Sequence, residues 1–172
     1  MYNKFVVQMH FLYNVLSQIH YTSESPVRHF LSKKVVKWCY IKVLGLHVIM
    51  DFGANKTLTG GLALQTLETW NEFIGTDNVS FGSNSSEVYF EEDNFDKFAD
   101  RLKKYDVEYV HPIKEHSWGQ RVVRIYDPDI HIIEVGENIK VVCKRFLDSG
   151  MTPEQVAERM DVPMKFVNAC IR

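Results

Sequence analysis

The sequence predicts an α+β fold in which two βαβββ modules are followed by a C-terminal helical appendage. Two observations lead to this fold class. Strand-like and helix-like segments follow the same order in residues 26–67 and again in residues 87–135. In each copy, the module alone would not bury the apolar stripe of its helix well. We therefore expect the modules to pair in one curved, cup-like mixed sheet, with alternate strand residues lining the concave face.

The first module is predicted from residue 26 onwards. Residues 27–31 read as a strand, and Ser32 can cap the helix that follows. Gly45 can end this helix, because glycine readily adopts the left-handed conformation found after helix C-termini. The helix is indicated by apolar residues at i, i+3, i+4 and i+7, which are Val36, Cys39, Tyr40 and Val43. Three strands follow, at residues 46–52, 56–59 and 62–67.

The second module repeats this order after a loop. Residues 69–86 are rich in Gly, Ser, Asn and Asp, which predicts a linker. Residues 87–91 then read as a strand, and Asn94 can cap the next helix. The apolar stripe of that helix is Phe95, Phe98, Ala99 and Leu102. Strands at 107–110, 120–126 and 131–135 complete the module, with a loop over 112–119 and a tight turn over 127–129.

Residues 139–172 predict a separate helical tail. Thr152 and Gln155 have the spacing of a capping box, with Pro153 at the first helical position. A preceding helix is indicated by the stripe Ile139, Val142, Cys143, Phe146 and Leu147, and a third short helix starts near Pro163. The chain is thus divided into an N-terminal extension (1–25), a domain (26–138) and the helical tail (139–172).

Composition narrows the class of protein. The net charge of −2 does not favour a nucleic-acid partner, which would require a basic surface. Three cysteines without CxxC spacing indicate reduced thiols in a cytoplasmic protein rather than a disulfide framework or a zinc knuckle. No apolar run reaches the roughly 18 residues of a membrane span. Neither a membrane partner nor a secretory signal is therefore expected.

Two segments resemble a known family. Residues 38–46 (WCYIKVLGL) are similar to the segment in which the first helix ends, and residues 118–119 (WG) with 126–134 (YDPDIHIIE) are similar to the closing hairpin. The family is the vicinal oxygen chelate superfamily of glyoxalases, bleomycin-resistance proteins and extradiol dioxygenases, and the similarity is to a member of the lactoylglutathione-lyase type. It covers residues 26–137. Ile130 stands where the family's turn has glycine, so we expect this turn to differ.

Glu134 is the candidate at the centre of the site. A carboxylate in an otherwise apolar strand is costly to bury, so Glu134 requires a metal ion, a cation or a hydrogen-bond donor. The resemblance implies a metal, because a ligating glutamate occupies this position in the family. It also implies ligands at Glu87 and at Gln65, which matches Glu134 within the repeat. The first ligand position falls on Ser25, a poor ligand that His29 could replace; if the extension supplies the first strand, Gln18 or His20 become candidates.

The resemblance and ligand chemistry limit the cofactor and substrate. Carboxylate and amide oxygens suit magnesium or manganese, while His29 would admit nickel, zinc or iron. Glu134 is also the candidate catalytic residue, because a glutamate beside the metal can shuttle a proton. In the loop before the closing hairpin, His116 and Trp118 are candidates for contacting a small-molecule substrate, and Arg121 could bind an anionic group.

Three functions remain open. The first is a metal-dependent lyase or isomerase that chelates a small oxygen-bearing substrate, as the resemblance suggests. The second is a metal-free binding protein like the drug-sequestering members, favoured by the weak first ligand position. The third is a ligand sensor whose tail, which resembles a helix–turn–helix in outline, contacts a partner. The resemblance also implies a homodimer.

Overall fold

The computed structural model describes residues 12–14, 37–82 and 84–171. These residues fall into two compact units. The N-terminal unit contains the described residues up to Val88 together with Tyr126–Ile133. The C-terminal unit contains Tyr89–Ile125 and the described residues from Glu134 onwards. Most of the second module and the whole helical tail therefore belong to the C-terminal unit.

The first module forms a four-stranded sheet with the strand order β1-β4-β3-β2. Its elements are β1 (Leu12–Asn14), α1 (Lys37–Val43), β2 (Val48–Asp51), β3 (Asn55–Leu58), β4 (Ala63–Gln65) and α2 (Leu67–Ile74). β1 runs parallel to β4, whereas β3 is antiparallel to both of its neighbours. β2 and β4 lie within the predicted segments, and β3 begins one residue before its predicted segment, 56–59.

The first described strand lies in the segment that the sequence offered as the alternative. β1 lies in the predicted N-terminal extension, and its Leu12 pairs with Ala63 of β4. The strand predicted at 27–31, together with Gln18, His20, Ser25 and His29, lies outside the described residues. A strand of three residues is too short to show the alternation by which a strand is identified in a sequence.

Helix α1 carries the predicted apolar stripe and has π-type hydrogen bonding. The amide of Leu44 donates to the carbonyl of Cys39, five residues earlier, at 2.9 Å. Gly45, with φ of +80°, follows the helix in the left-handed conformation predicted for it. Cys39, Tyr40 and Val43 are buried. The helix therefore packs through its predicted face.

Helix α2 was not predicted, because residues 69–86 read as a loop. It ends at Gly75, whose φ is +69° and whose amide is bonded to the carbonyls of Asn71 and Glu72. None of its side chains is fully buried, although Leu67, Trp70 and Ile74 have the i, i+3, i+7 spacing of a helical stripe. The Gly- and Ser-rich composition that indicated a loop begins only after this helix.

The second module repeats the arrangement of the first. Its elements are β5 (Glu87–Glu92), α3 (Phe95–Leu102), β6 (Tyr109–Glu115), β7 (Arg121–Tyr126) and β8 (Ile132–Glu137), and its strand order is β5-β8-β7-β6. The predicted stripe of α3 is buried, and Asn94 caps this helix by accepting the amide of Lys97 at 3.1 Å. The predicted α+β class is confirmed, with the strands of the two modules in two separate four-stranded sheets.

Strand β6 extends into residues that the sequence assigned to a loop. Pro112 was taken as the end of the strand, but β6 is the last strand in its sheet order. An outer strand tolerates proline, because one of its edges forms no ladder hydrogen bonds in the sheet. On its other edge, β6 pairs with β7, where His111 lies opposite Arg124 and Lys114 opposite Val122.

The turn between β7 and β8 is organised by Asp127 and includes strained backbone. One carboxylate oxygen of Asp127 accepts the amides of Asp129 at 2.9 Å and His131 at 2.8 Å. The other accepts the hydroxyl of Tyr40 at 2.5 Å. Ile130 has φ of +64°. The isoleucine itself thus adopts left-handed backbone, which favours glycine, and the strain is of order 1–2 kcal/mol.

The tail forms three helices around its own apolar cluster, as predicted. They are α4 (Ile139–Asp148), α5 (Pro153–Met160) and α6 (Met164–Ile171). The capping box is present: Thr152 accepts the amide of Gln155, and the Gln155 side chain accepts the amide of Thr152. The cluster is formed by Val142, Cys143, Val156, Met160, Val167 and Cys170. Among the helices described, none is long and apolar enough to cross a membrane.

Candidate functional site

Glu134 is neutralised within the C-terminal unit by Arg124. Glu134 lies on β8 and is 5% exposed, and its carboxylate forms an ion pair with the guanidinium of Arg124 on β7. The same guanidinium lies 3.1 Å from Nε2 of His111 on β6. The sequence required a metal, a cation or a donor for Glu134, and the structure supplies a cation. We call Glu134, Arg124 and His111 the ionic group.

A hydrogen-bonded row of side chains lies in the same unit. Nε2 of Gln120 donates to the Tyr89 hydroxyl at 2.9 Å and to the Glu137 carbonyl at 2.7 Å. Its Oε1 accepts the indole N–H of Trp118 at 3.1 Å. Tyr89 donates to Glu91 at 3.3 Å. Because both the nitrogen and the oxygen of its side-chain amide are hydrogen-bonded, Gln120 fixes Tyr89 on one side and Trp118 on the other. We call these three residues the Gln120 row.

Two aromatic rings stack at one end of this row. The imidazole of His116 and the indole of Trp118 have centroids 4.2 Å apart and planes 17° from parallel. Trp118 is 36% exposed, so the stack offers an accessible flat surface. At the other end, the lack of a side chain at Gly136 leaves room for Gln120 and Tyr89, because a Cβ there would lie 3.0 Å from both Nε2 of Gln120 and the Tyr89 ring. Stacked rings beside fixed polar atoms can hold a planar ligand.

The titratable groups along the row favour their neutral forms. Burial lowers the pKa of His116, and the nearby positive charges of Lys114, Arg124 and His111 lower it further. Burial raises the pKa of Tyr89 to about 12, although its hydrogen bond with Gln120 opposes this. Burial also raises the pKa of Glu91. The three members of the row, Tyr89, Gln120 and Trp118, are therefore uncharged donors and acceptors at neutral pH.

The predicted ligands Gln65 and Glu87 belong to the N-terminal unit. Gln65 is buried on β4, and its Oε1 accepts a hydrogen bond from the side-chain amide of Asn55 at 2.7 Å. Its Nε2 donates to the hydroxyl of Thr69. Glu87 is exposed at the start of β5. The oxygen of Gln65 that would bind a metal is thus already used in a hydrogen bond within the chain.

Arg121, a candidate for binding an anionic substrate, takes part in a network of carboxylates. It pairs with Glu137 at 3.0 Å and with Asp96 at 2.6 Å, and its guanidinium lies 5.2 Å from the centroid of Phe95. The hydrogen bonds that Arg121 donates to Glu137 and Asp96 raise the pKa of Arg121 above its usual range. Glu137 is 2% exposed and also pairs with Arg145 at 3.1 Å. These contacts join β7, β8, α3 and α4.

Comparison with known proteins identifies the family of the domain. The glyoxalase-like domain family matches residues 29–140. The chain belongs to this family. A protein of unknown function from Agrobacterium tumefaciens strain C58 is 32% identical, with a TM-score of 0.57 and coverage of 72% of this chain and 97% of that one. Comparison with curated proteins gives no significant match.

Other solved structures are more distant. A glyoxalase-related enzyme from Fulvimarina pelagi is 14% identical, with a TM-score of 0.57 and coverage of 77% of this chain and 88% of that one. A lactoylglutathione lyase from Agrobacterium tumefaciens is 20% identical, with a TM-score of 0.49 and coverage of 62% and 85%. The family-model match over residues 29–140 confirms the superfamily predicted from residues 38–46, 118–119 and 126–134 of this glyoxalase-like chain.

The metal that the family implies does not fit the described residues of this glyoxalase-like chain. Glu134 is paired with Arg124, and Gln65 accepts a hydrogen bond from Asn55. Across residues 37–82 and 84–171, no group of three or more His, Cys, Asp or Glu side chains is close enough to hold a metal. His29, the remaining predicted ligand, lies outside these ranges, so the metal site stays a prediction.

The sequence did not single out Arg124, Tyr89 or Gln120. Arg124 shares one face of β7 with Val122 and Tyr126, and this spacing marks its face of the strand but not its partner. The register that sets His111 opposite Arg124 contains two irregularities within β6. Identifying the partner therefore required register information that alternation alone does not contain.

Proposed function

We propose that this glyoxalase-like protein binds an uncharged aromatic small molecule without a metal ion. The observation that carries the proposal is the ion pair between Arg124 and Glu134. A buried carboxylate already neutralised by an arginine gains much less from a metal than an unpaired one. Chelation by Glu134 would first require Arg124 to move away and remain solvated.

The shape and polarity of the row support an aromatic ligand. The stack of His116 and Trp118 gives a flat apolar face, and the Gln120 row places an amide and a phenol beside it. Because His116 has a lowered pKa and Arg124 is paired with Glu134, neither side chain adds a free positive charge beside the stack. An aromatic ring with an amide or hydroxyl substituent would complement these groups.

Binding can be tested with three fluorinated probes of different charge. We expect para-fluorobenzamide to show line broadening in fluorine NMR when the protein is added, and para-fluorobenzylamine and para-fluorobenzoate to show less. Trp118→Ala should abolish the broadening, while the control Trp70→Ala, on α2, should retain it. Equal broadening of all three probes, or its persistence in Trp118→Ala, would contradict the proposal.

The alternative is the metal-dependent lyase or isomerase, which membership of the family favours. Elemental analysis separates the two. The protein is purified without chelator and then incubated separately with nickel, zinc, iron(II), manganese and magnesium. We expect no stoichiometric metal. Stoichiometric metal that is lost in both Glu87→Ala and Glu134→Ala would select the metal-dependent enzyme instead.

A cytoplasmic location accords with the thiols. Cys39, Cys143 and Cys170 are buried and free, which is typical of a reducing compartment. Fractionation of cells that express the full chain tests this location, and recovery from the membrane or extracellular fraction would oppose it.

A further inference from the structure

The helical tail contacts the loop that carries the aromatic stack. This site loop, residues 116–119, connects β6 to β7. Arg145 on α4 donates from one guanidinium nitrogen to the carbonyl of Gly119 at 2.6 Å and to Glu137 at 3.1 Å. Because Glu137 is buried and also paired with Arg121, Arg145 ties the site loop to the centre of the sheet.

Phe146 makes a second contact that only glycine allows. A Cβ at Gly119 would lie 2.2 Å from Cζ of the Phe146 ring, and Gly119 has φ of +88°. The ring is flanked by the guanidinium of Arg145 at 5.1 Å and that of Arg159 at 5.8 Å. The outer end of the Phe146 ring thus lies directly against the backbone next to Trp118.

We propose that α4 positions the aromatic stack of the site loop, with Arg145 and Phe146 as the positioning residues. This inference rests on the proposed function of the same site. The match to the glyoxalase-like family ends at residue 140, so both residues lie in the appendage that follows the domain. The appendage is then part of the binding site rather than an independent module.

The loop's own hydrogen bonds support this dependence. Within the site loop, the amide of Gly119 donates to the carbonyl of His116 at 2.8 Å, and the amide of His116 donates to the carbonyl of Gln120 at 2.9 Å. These bonds close the turn, but they leave the Gly119 carbonyl to Arg145. Without the Arg145 guanidinium, the Gly119 carbonyl would lose its donor. Without the Phe146 ring as well, the site loop would be free to sample open conformations.

Two readouts test positioning without any ligand. In a background carrying Trp38→Phe and Trp70→Phe, acrylamide quenching reports on Trp118 alone. Phe146→Ala should raise the quenching constant about twofold, because the indole becomes more accessible. The His116 pKa, followed by proton NMR, should rise from its lowered value toward 6.5 as the ring is rehydrated.

The control is a second phenylalanine of the same tail. Phe166 packs against the apolar cluster of the tail, so Phe166→Ala should cost comparable stability yet leave both readouts unchanged. Arg145→Met should change both readouts as Phe146→Ala does, and Arg145→Lys should partly restore them by keeping a donor near Gly119. Equal effects of Phe146→Ala and Phe166→Ala, or none from either, would overturn the inference.

Ligand binding separates this inference from the proposed function. With para-fluorobenzamide as probe, Phe146→Ala should weaken binding about tenfold if the competent loop falls to a tenth of the population. Changed quenching without binding by the wild-type protein would reject the function but keep the positioning role. Wild-type binding with unchanged quenching and affinity in Phe146→Ala would reject the positioning role alone.

Discussion

At the scale of single residues, Glu134 shows what sequence reasoning can reach. Its place in an apolar strand predicts burial and hence a need for a partner, and both are found. The nature of the partner could not be predicted, because it depends on how β7 lies against β8. Family resemblance suggested a metal ion, whereas the chain itself provides Arg124. The need of Glu134 for a partner was thus predicted, but the residue that pairs with it was not.

Removing one member of the ionic group should be costly. Arg124→Met leaves the Glu134 carboxylate buried without a counter-charge, so we expect the free energy of unfolding to fall by about 3 kcal/mol. Urea denaturation measures this change. Adding Glu134→Gln should restore most of the loss, because neither member is then charged. The control Arg101→Met, which breaks a more exposed pair with Glu92 at 3.9 Å, should cost less than about 1 kcal/mol. Comparable losses for both arginines would contradict this account.

The turn after β7 should make stability depend on pH. Burial, and then the charge of Asp127, raises the pKa of Asp129 from 3.8 to about 7. The folded state thus holds a proton that the unfolded state releases, so stability falls as pH rises from about 4 to 7. Asp129→Asn removes this penalty.

Denaturation at several pH values measures the effect. We expect Asp129→Asn to be more stable than wild type by roughly 2 kcal/mol at pH 8, with the difference shrinking toward pH 4. His131 contributes in the same direction. Burial lowers its pKa, but the hydrogen bond and charge of Asp127 outweigh this and raise it, so its contribution is present below 6.5 and is lost at higher pH. The control Asp77→Asn, in an exposed loop, should show no such trend; a gain independent of pH would refute the assignment.

At the scale of elements, long periodic segments were predicted best. The stripe of α3 and the three helices of the tail lie where the spacing placed them. β1 and α2 were missed, because three residues carry no period and most of α2 was assigned to the Gly- and Ser-rich segment that follows it. β6 was predicted too short because Pro112 was read as a breaker, which an outer strand does not require.

The capping box of α5 gives a prediction at this scale. Thr152→Ala removes the acceptor for the Gln155 amide, so we expect a loss of about 1 kcal/mol in the free energy of unfolding. Thr152→Ser keeps the hydroxyl and should lose only a few tenths of that amount. Thermal unfolding of the two variants side by side provides the comparison. Equal melting temperatures for both would argue that the box contributes nothing.

At the scale of the whole molecule, the resemblance predicts a homodimer, and the outer strand of the first module offers a surface for one. Val48, Ile49, Met50 and Phe52 are all at least 40% exposed on or next to β2. Light scattering after size exclusion should give twice the chain mass of 20.1 kDa. Ile49→Lys should shift the mass to that of one chain, whereas Phe73→Lys, on α2, should not. A single-chain mass for the wild type would reject the dimer.

The hydrogen bond between Tyr40 and Asp127 joins residues 87 positions apart within the N-terminal unit. Tyr40 is almost fully buried, so its hydroxyl loses solvent as α1 packs. During synthesis, the Asp127 carboxylate is not available until residue 127 has left the ribosome. Before then, packing of α1 would bury the Tyr40 hydroxyl without its hydrogen-bond acceptor. The first module is therefore committed to its final packing only late in translation, when the closing hairpin arrives.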